Sequence, residues 1–261
     1  MKLGLMQGTP ANEMREMGFD AVQLHFGVNQ KDDAADLTDD EIKASLNPGN
    51  IALAGLTVHI GLVDSRGLVQ IEIDRMLRLV DRAAAVKNLV GDNPRPILVW
   101  HPNSYPEAAD TDDAAVFKGL VSALRTICNA AEKKGVDIAV ELTYRGVDRG
   151  VEGFLRLQDH VASPALRVCL DAANVIIPYR TPLVHTVRLL ADDIVIAHGK
   201  DRHFKADGSV ATFGPTGSGN LDYATYIACL KDYCNIPYFI LEYYKTREEI
   251  LRARDIVLQY L

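Results

Sequence analysis

The sequence has no apolar run of about 18 residues, so no membrane span is expected. Its opening segment, MKLGLMQG, lacks the long apolar stretch of a secretory signal and is already strand-like, which points to a cytoplasmic location. Cysteines are few and unpatterned. Cys128, Cys169, Cys229 and Cys234 show no C-x-x-C spacing and lie in apolar segments, which fits buried thiols in a reducing compartment better than a disulfide framework. Positive charge is in deficit: a net charge of -7 leaves no electrostatic footprint for nucleic acid. Low-complexity segments, linkers and shifts of composition are absent, as is any repeat of sequence.

What is present suits one large domain. The 261 residues can bury a sizeable core without disulfides or metals as staples. Hydrophobic residues make up 48% and charged residues 24%, an ordinary soluble balance. Short apolar runs alternate with amphipathic segments along the whole length. Strands are expected near Lys2 to Met6, Ala21 to Phe26, Ile51 to Ile60, Ile97 to Trp100 and Val136 to Glu141, and then at RVCLD, DIVIAH and YFILE. Between them, Ile73, Met76, Leu77, Val80, Ala83 and Ala84 make one helical stripe, ended by Pro94 and Pro96. Phe117, Leu120, Val121, Leu124, Ile127, Cys128 and Ala131 make another, closed by Lys133-Lys134-Gly135. Thr9-Pro10 and Thr181-Pro182 read as helix starts, and Thr246 with Glu249 as a capping box.

Eight such alternations demand a parallel sheet with right-handed crossovers. An open doubly wound sheet satisfies that requirement too. The eightfold count and the spread of charged strand ends over the chain favour a closed (β/α)8 TIM barrel, α/β in class and one domain over 1–261, close to the typical length of about 250 residues. Barrels of this type often pair, so a homo-oligomer is compatible with the fold, although no exposed interface signature is present.

Four strand ends carry chemistry. VDIAVE ends in Glu141, RVCLD in Asp171, DIVIAH in His198 and YFILE in Glu242. An unpaired buried carboxylate costs several kcal/mol, so a cation should meet each of them. In a barrel all strand C-termini open on one face. The four side chains are therefore expected to converge on one divalent ion, and three carboxylates with one imidazole suit Mn, Mg, Co or Zn.

The stretches VELTY, CLDAAN, IAHGKD, GxGxLDY and ILEYY, in that order, resemble the xylose-isomerase-like superfamily, and its sugar isomerase/epimerase members most of all. The resemblance covers nearly the whole chain and is strongest from Glu141 onward. It implies that Glu141, Asp171, His198 and Glu242 ligate the metal and that Glu141 and Glu242 also exchange protons with substrate. The expected activity is isomerisation or epimerisation of a small sugar, keto-sugar or related polyol through a metal-held enediolate. Such chemistry needs a base, an acid and a cation beside the developing negative charge. The expected partner is a small carbohydrate, with neither nucleic acid nor membrane.

Two departures bear on the substrate. Asn174 stands where many relatives have histidine, and Gln23 where many have glutamate. His59 and His101, at the third and fourth strand ends, read as substrate-pocket donors, with satisfied strand-end histidines and a second metal site as the alternatives. Lys200 and Arg202 could bind substrate oxygens or a phosphate, or be a solvated loop pair. The glycines of GPTGSGN could cradle a phosphate, or form a flexible loop or helix entry. Tyr144, His25 and Trp100 could form a pocket wall, or core and rim; His160 and His185 fall on helices away from the mouth, and His203 is left unassigned.

Rival functions use the same scaffold. Zinc-dependent apurinic/apyrimidinic endonucleases of the same superfamily place histidines at the third and fourth strand ends, but they need a trinuclear cluster and a histidine where Asn174 stands. Asp201-Arg202-His203 follows His198 too closely to supply their Asp-x-His pair. A keto-polyol dehydratase and a non-catalytic sugar-binding barrel are the other two.

Overall fold

A computed structural model describes residues 1–27, 38–102, 113–143, 149–176, 182–207 and 210–261. Eight parallel strands close into a barrel: β1 (Lys2–Met6), β2 (Ala21–Gly27), β3 (Ala52–Ile60), β4 (Ile97–Pro102), β5 (Asp137–Glu141), β6 (Leu166–Asp171), β7 (Ile194–Gly199) and β8 (Tyr238–Leu241). Each pairs with its sequence neighbours, and β8 returns to β1 to complete the ring. Closure leaves the eight-stranded sheet without an edge, which decides against the open doubly wound sheet.

The pleat determines which residues reach the mouth. Ala139, Cys169, Ile196 and Ile240 belong to a buried cluster drawn from the strands, the filling of the barrel interior. Because side chains alternate along a strand, the residues two positions further on take the same inward direction at the strand ends. These are Glu141, Asp171, His198 and Glu242. The intervening residues face the helices, so Trp100 packs in the core and donates its indole N–H to the Ile60 carbonyl at 2.9 Å instead of walling a pocket.

Helices α1 (Ala11–Glu16), α2 (Asp39–Leu46), α3 (Gln70–Ala85), α4 (Asp113–Lys134), α5 (Gly150–Val161), the single-turn α6 (Ala172–Val175), α7 (Leu183–Leu189), α8 (Tyr223–Tyr233) and α9 (Arg247–Leu258) link the strands. The α4 stripe is buried as expected, and Gly135 follows the helix in the left-handed region at φ 67°. On α3 the buried side chains are Ile73, Met76, Leu79, Val80 and Ala83; Leu77 and Ala84 lie at the margin. That helix ends at Ala85, before Pro94 and Pro96, in a short 3-10 turn over Lys87–Leu89.

Thr246 and Glu249 form the expected capping box, and Thr38 with Glu41 forms a second that the sequence reading passed over. Pro10 is the N-cap of α1, not its first residue, and Pro182 holds the same place before α7. Two hairpins were not anticipated: Val63–Asp64 with Gly67–Leu68, and Asp201–Phe204 with Val210–Gly214. The second occupies part of what the sequence suggested was simple loop. All four cysteines are free, with Cys128, Cys169 and Cys229 buried. Among the described residues no helix is long and apolar enough to cross a membrane.

Candidate metal centre

Register carries the four strand-end side chains together. Asp171 on β6 pairs with His198 on β7, His198 pairs with Ile240 on β8, and Glu141 on β5 pairs with Cys169 on β6. Glu242, one residue past β8, is tied to β7 by its backbone N–H, which donates to the Gly199 carbonyl at 3.0 Å. One ligand-type atom from each of Glu141, Asp171, His198 and Glu242 lies within 4.8 Å of the others. His198 Nδ1 sits 3.9 Å from Glu141 Oε1 and 3.8 Å from Glu242 Oε2.

The centre is nearly dry. Asp171 and His198 are 0% exposed and Glu141 3%. Lys200 brings one ammonium, ion-paired to Asp171 and, at 2.8 Å, to Glu242. Burial opposes its charge, yet Asp171, Glu242 and Glu141 outweigh burial and raise its pKa well above the usual lysine range. One lysine facing three carboxylates leaves negative charge in excess. Burial, only partly offset by His198 and Lys200, pushes Glu141 up to about 7. Burial likewise lifts Asp171 to about 6 against the pull of Lys200. For Glu242 burial also acts upward, but Lys200 and His198 overcome it and hold the carboxyl at about 2. The group thus resists full ionisation.

The donor set fits a divalent ion on three counts. His198 Nδ1 is buried without a hydrogen-bond partner and faces two carboxylate oxygens. Excess buried negative charge is the electrostatic setting that a cation relieves. Hard carboxylates with one borderline imidazole match the ions expected from the sequence. Among the described residues, the groups close enough to share an ion both contain Glu141 and His198; the second adds Cys169 in place of Asp171 and Glu242.

A family model described as xylose isomerase-like TIM barrel matches residues 11–258. The chain belongs to that family. Among solved structures, it is similar to the probable 3-DHS dehydratase AsbF from Bacillus anthracis, at 17% identity and TM-score 0.72 over 99% of each chain. It is similar also to D-allulose 3-epimerase from Methylomonas sp. in complex with D-allulose, at 15% identity and TM-score 0.71, covering 100% of this chain and 97% of that one. The IOLI protein, whose structure holds a zinc atom, gives 16% identity and TM-score 0.72 over 100% and 99%. No curated protein sequence matches the chain significantly. At these identities the likeness to solved structures is one of fold.

The remaining candidates of this xylose isomerase-like barrel divide by place. His59 pairs with His101 in the β3–β4 register, and their rings stack at 4.2 Å and 12°; His25 meets His59 edge-on at 4.4 Å. Burial first, then the neighbouring imidazoles, lower His59 to about 3. Burial and then Lys200 lower His101 to about 4, so both rings are neutral. They pack on each other, and neither joins a second group of ligand atoms among the described residues. Asn174, on α6, donates from Nδ2 to Glu141 Oε1 at 3.2 Å.

Arg202 is no solvated loop residue: it is 2% exposed, with its guanidinium 5.4 Å from the rings of Phe204 and Phe213. The glycine-rich loop is neither a plain flexible loop nor a free phosphate cradle. Asp201 accepts the backbone N–H groups of Gly217 at 2.9 Å and Leu221 at 3.0 Å. Gly217 sits at φ 82°, and a Cβ on Gly219 would lie 2.6 Å from Asp201 Oδ1, so the loop wraps an internal anion. At the rim, Phe213 and Tyr243 stand 6.0 Å apart, their rings 5.2 and 5.9 Å from Lys200 Nζ. Tyr243, at φ 66°, holds a conformation rare for a bulky residue. His185 is exposed, His160 caps nothing at the mouth, and Tyr144 lies outside the described residues. The sequence reading missed Thr57 and Cys169, both buried beside the centre, and treated Gln23 only as a departure. Their signal was pleat parity alone.

Proposed function

We propose that the protein is a divalent-metal-dependent isomerase or epimerase of a small sugar, keto-sugar or related polyol, with Glu141, Asp171, His198 and Glu242 as ligands. The observation carrying this reading is the convergence of four strand-end groups, distant in sequence, within 4.8 Å. A divalent ion held there would supply a Lewis acid that polarises a substrate carbonyl and offsets charge on an enediolate.

The chain's own residues move the proton. Glu141 and Glu242 project from β5 and from the end of β8, with β6 and β7 between them, so they address a substrate in the mouth from two directions. In the metal-free chain burial raises Glu141 to about 7, while Lys200 and His198 hold Glu242 at about 2. With an ion bound, both would be drawn toward the carboxylate form, in which either can take a proton from substrate and return it on the other side. Asn174 keeps Glu141 Oε1 directed by its N–H, and Lys200 keeps Glu242 Oε1 ion-paired. Neutral His59 and His101 suit hydroxyl groups as donors or acceptors, while Asn174 and Lys200 line the reacting region. Arg202 is buried against Phe204 and Phe213 and supports the wall of the mouth.

The test is a ketose panel in deuterated water with Mn(II), Mg(II), Co(II) or Zn(II) supplied. Deuterium entering a carbon-bound position of substrate and product is expected. Glu141→Gln and Glu242→Gln should each cut turnover by about 10²- to 10⁴-fold while the circular dichroism spectrum stays unchanged. Retained turnover in either variant refutes the proton-transfer roles. A product lighter by one water would assign the dehydratase instead, and cleavage of abasic DNA with about three zinc ions bound would assign the endonuclease.

A further inference from the structure

The two ring nitrogens of His198 have different surroundings. Nδ1 faces Glu141 and Glu242. Nε2 lies 3.1 Å from Gln23 Oε1 and 3.3 Å from Cys169 Sγ, on the side away from the carboxylates. Gln23 is 0% exposed, and its own Nε2 donates to the hydroxyl of Thr57, also 0% exposed. A buried chain therefore runs from β3 through β2 to the imidazole on β7, crossing the barrel interior.

An imidazole that offers the Nδ1 lone pair to a cation carries its proton on Nε2, and a buried N–H needs an acceptor. Two candidates are in reach. A thiol accepts only weakly. The amide oxygen of Gln23 is the stronger acceptor. A glutamine amide could present either end to the ring; here Thr57 takes the N–H end, which turns Oε1 toward His198.

We propose that Gln23, anchored by Thr57, is a positioning residue that holds His198 as the Nε2–H tautomer and aims its Nδ1 lone pair at the carboxylates, so that it sets affinity for the divalent ion. This rests on the metal-centre reading above. An acceptor behind a ligating histidine fixes ring orientation and makes the ligating nitrogen more basic; losing one costs about 10- to 100-fold in metal affinity. Glutamate at this position would serve the same purpose, because it too accepts from Nε2–H.

The test measures Mn(II) affinity of the full chain by the electron paramagnetic resonance signal of free ion. Gln23→Leu should bind about 10- to 100-fold more weakly than wild type, and Gln23→Glu within about threefold of it or tighter. Cys169→Ala, which removes the weaker acceptor, should lose less affinity than Gln23→Leu does. Equal affinity in Gln23→Leu and wild type overturns the proposal, as does a loss in Cys169→Ala matching that in Gln23→Leu. Should Gln23→Leu fail to fold, nitrogen-15 spectra of the zinc-loaded wild type decide. A protonated Nε2 on His198 is expected, and a protonated Nδ1 overturns the assignment. Gln23-dependent binding without any sugar turnover would keep this inference and remove the epimerase reading. A wild type that takes up none of Mn(II), Mg(II), Co(II) and Zn(II) removes both.

Discussion

Acidification from about pH 7.5 to about pH 5 should destabilise the wild-type protein by roughly 2 kcal/mol more than it destabilises a His59→Gln variant. His59 lies between the rings of His25 and His101, and burial holds its pKa at about 3 against an ordinary 6.5. As pH falls through 6.5 the unfolded chain gains a proton on this residue, while the folded chain gains none until about 3. The unfolded state binds more protons across that window. Stability from the neutral imidazole is therefore full above 6.5 and is lost progressively as pH falls toward about 3. At about pH 5 the unfolded histidine lies about 1.5 units below its own pKa, and at 1.36 kcal/mol per unit the penalty is about 2 kcal/mol.

Glu141 and Asp171 act in the opposite sense. Their raised values mean that the folded state takes up protons first, which adds stability as pH falls through about 7 and about 6. The wild-type curve mixes these contributions, so the difference between wild type and His59→Gln is the informative quantity. Urea unfolding of both proteins across this range, in chelator to remove bound metal, measures it. Parallel stability curves would refute the claim that His59 is held neutral by its neighbours and burial.

Other outcomes follow from the same geometry. Lys200→Met leaves Asp171 and Glu242 without their ammonium partner and should cost about 3–5 kcal/mol in chelator; saturating Mn(II) at about 100 times its Kd should restore about 2.7 kcal/mol. An unchanged melting temperature in chelator would contradict the ion-pair assignment. Asp201→Ala unpairs the Gly217 and Leu221 amides and should cost about 3–6 kcal/mol, at about 1.5–3 kcal/mol per charge-assisted bond, with new proteolytic cleavage in 214–221. Protection equal to wild type in that loop would count against the internal-anion reading. Thr246→Ala breaks the capping box of α9 and should cost about 1 kcal/mol in urea unfolding.

Much of this protein is written locally. Alternating apolar runs and helical stripes specify eight βα units, because strand and helix periods differ and each stripe must be buried. The acids and the histidine at four strand ends stand out by the cost of burying charge, and so the candidate centre is legible in Glu141, Asp171, His198 and Glu242. Its second layer is not. Gln23, Thr57 and Cys169 look like ordinary strand residues, and only the closed ring brings β2 and β3 across from β7. Likewise, GPTGSGN reads as a loop until Asp201 is seen inside it, and Arg202 reads as solvated until the hairpin folds Phe204 and Phe213 over it. Periodicity acts between neighbours a few residues apart, so it determined the elements and the charged ends in the sequence alone. Register and closure join residues more than a hundred positions apart, and only the tertiary structure decided which nitrogen of His198 meets the acids and which meets an amide.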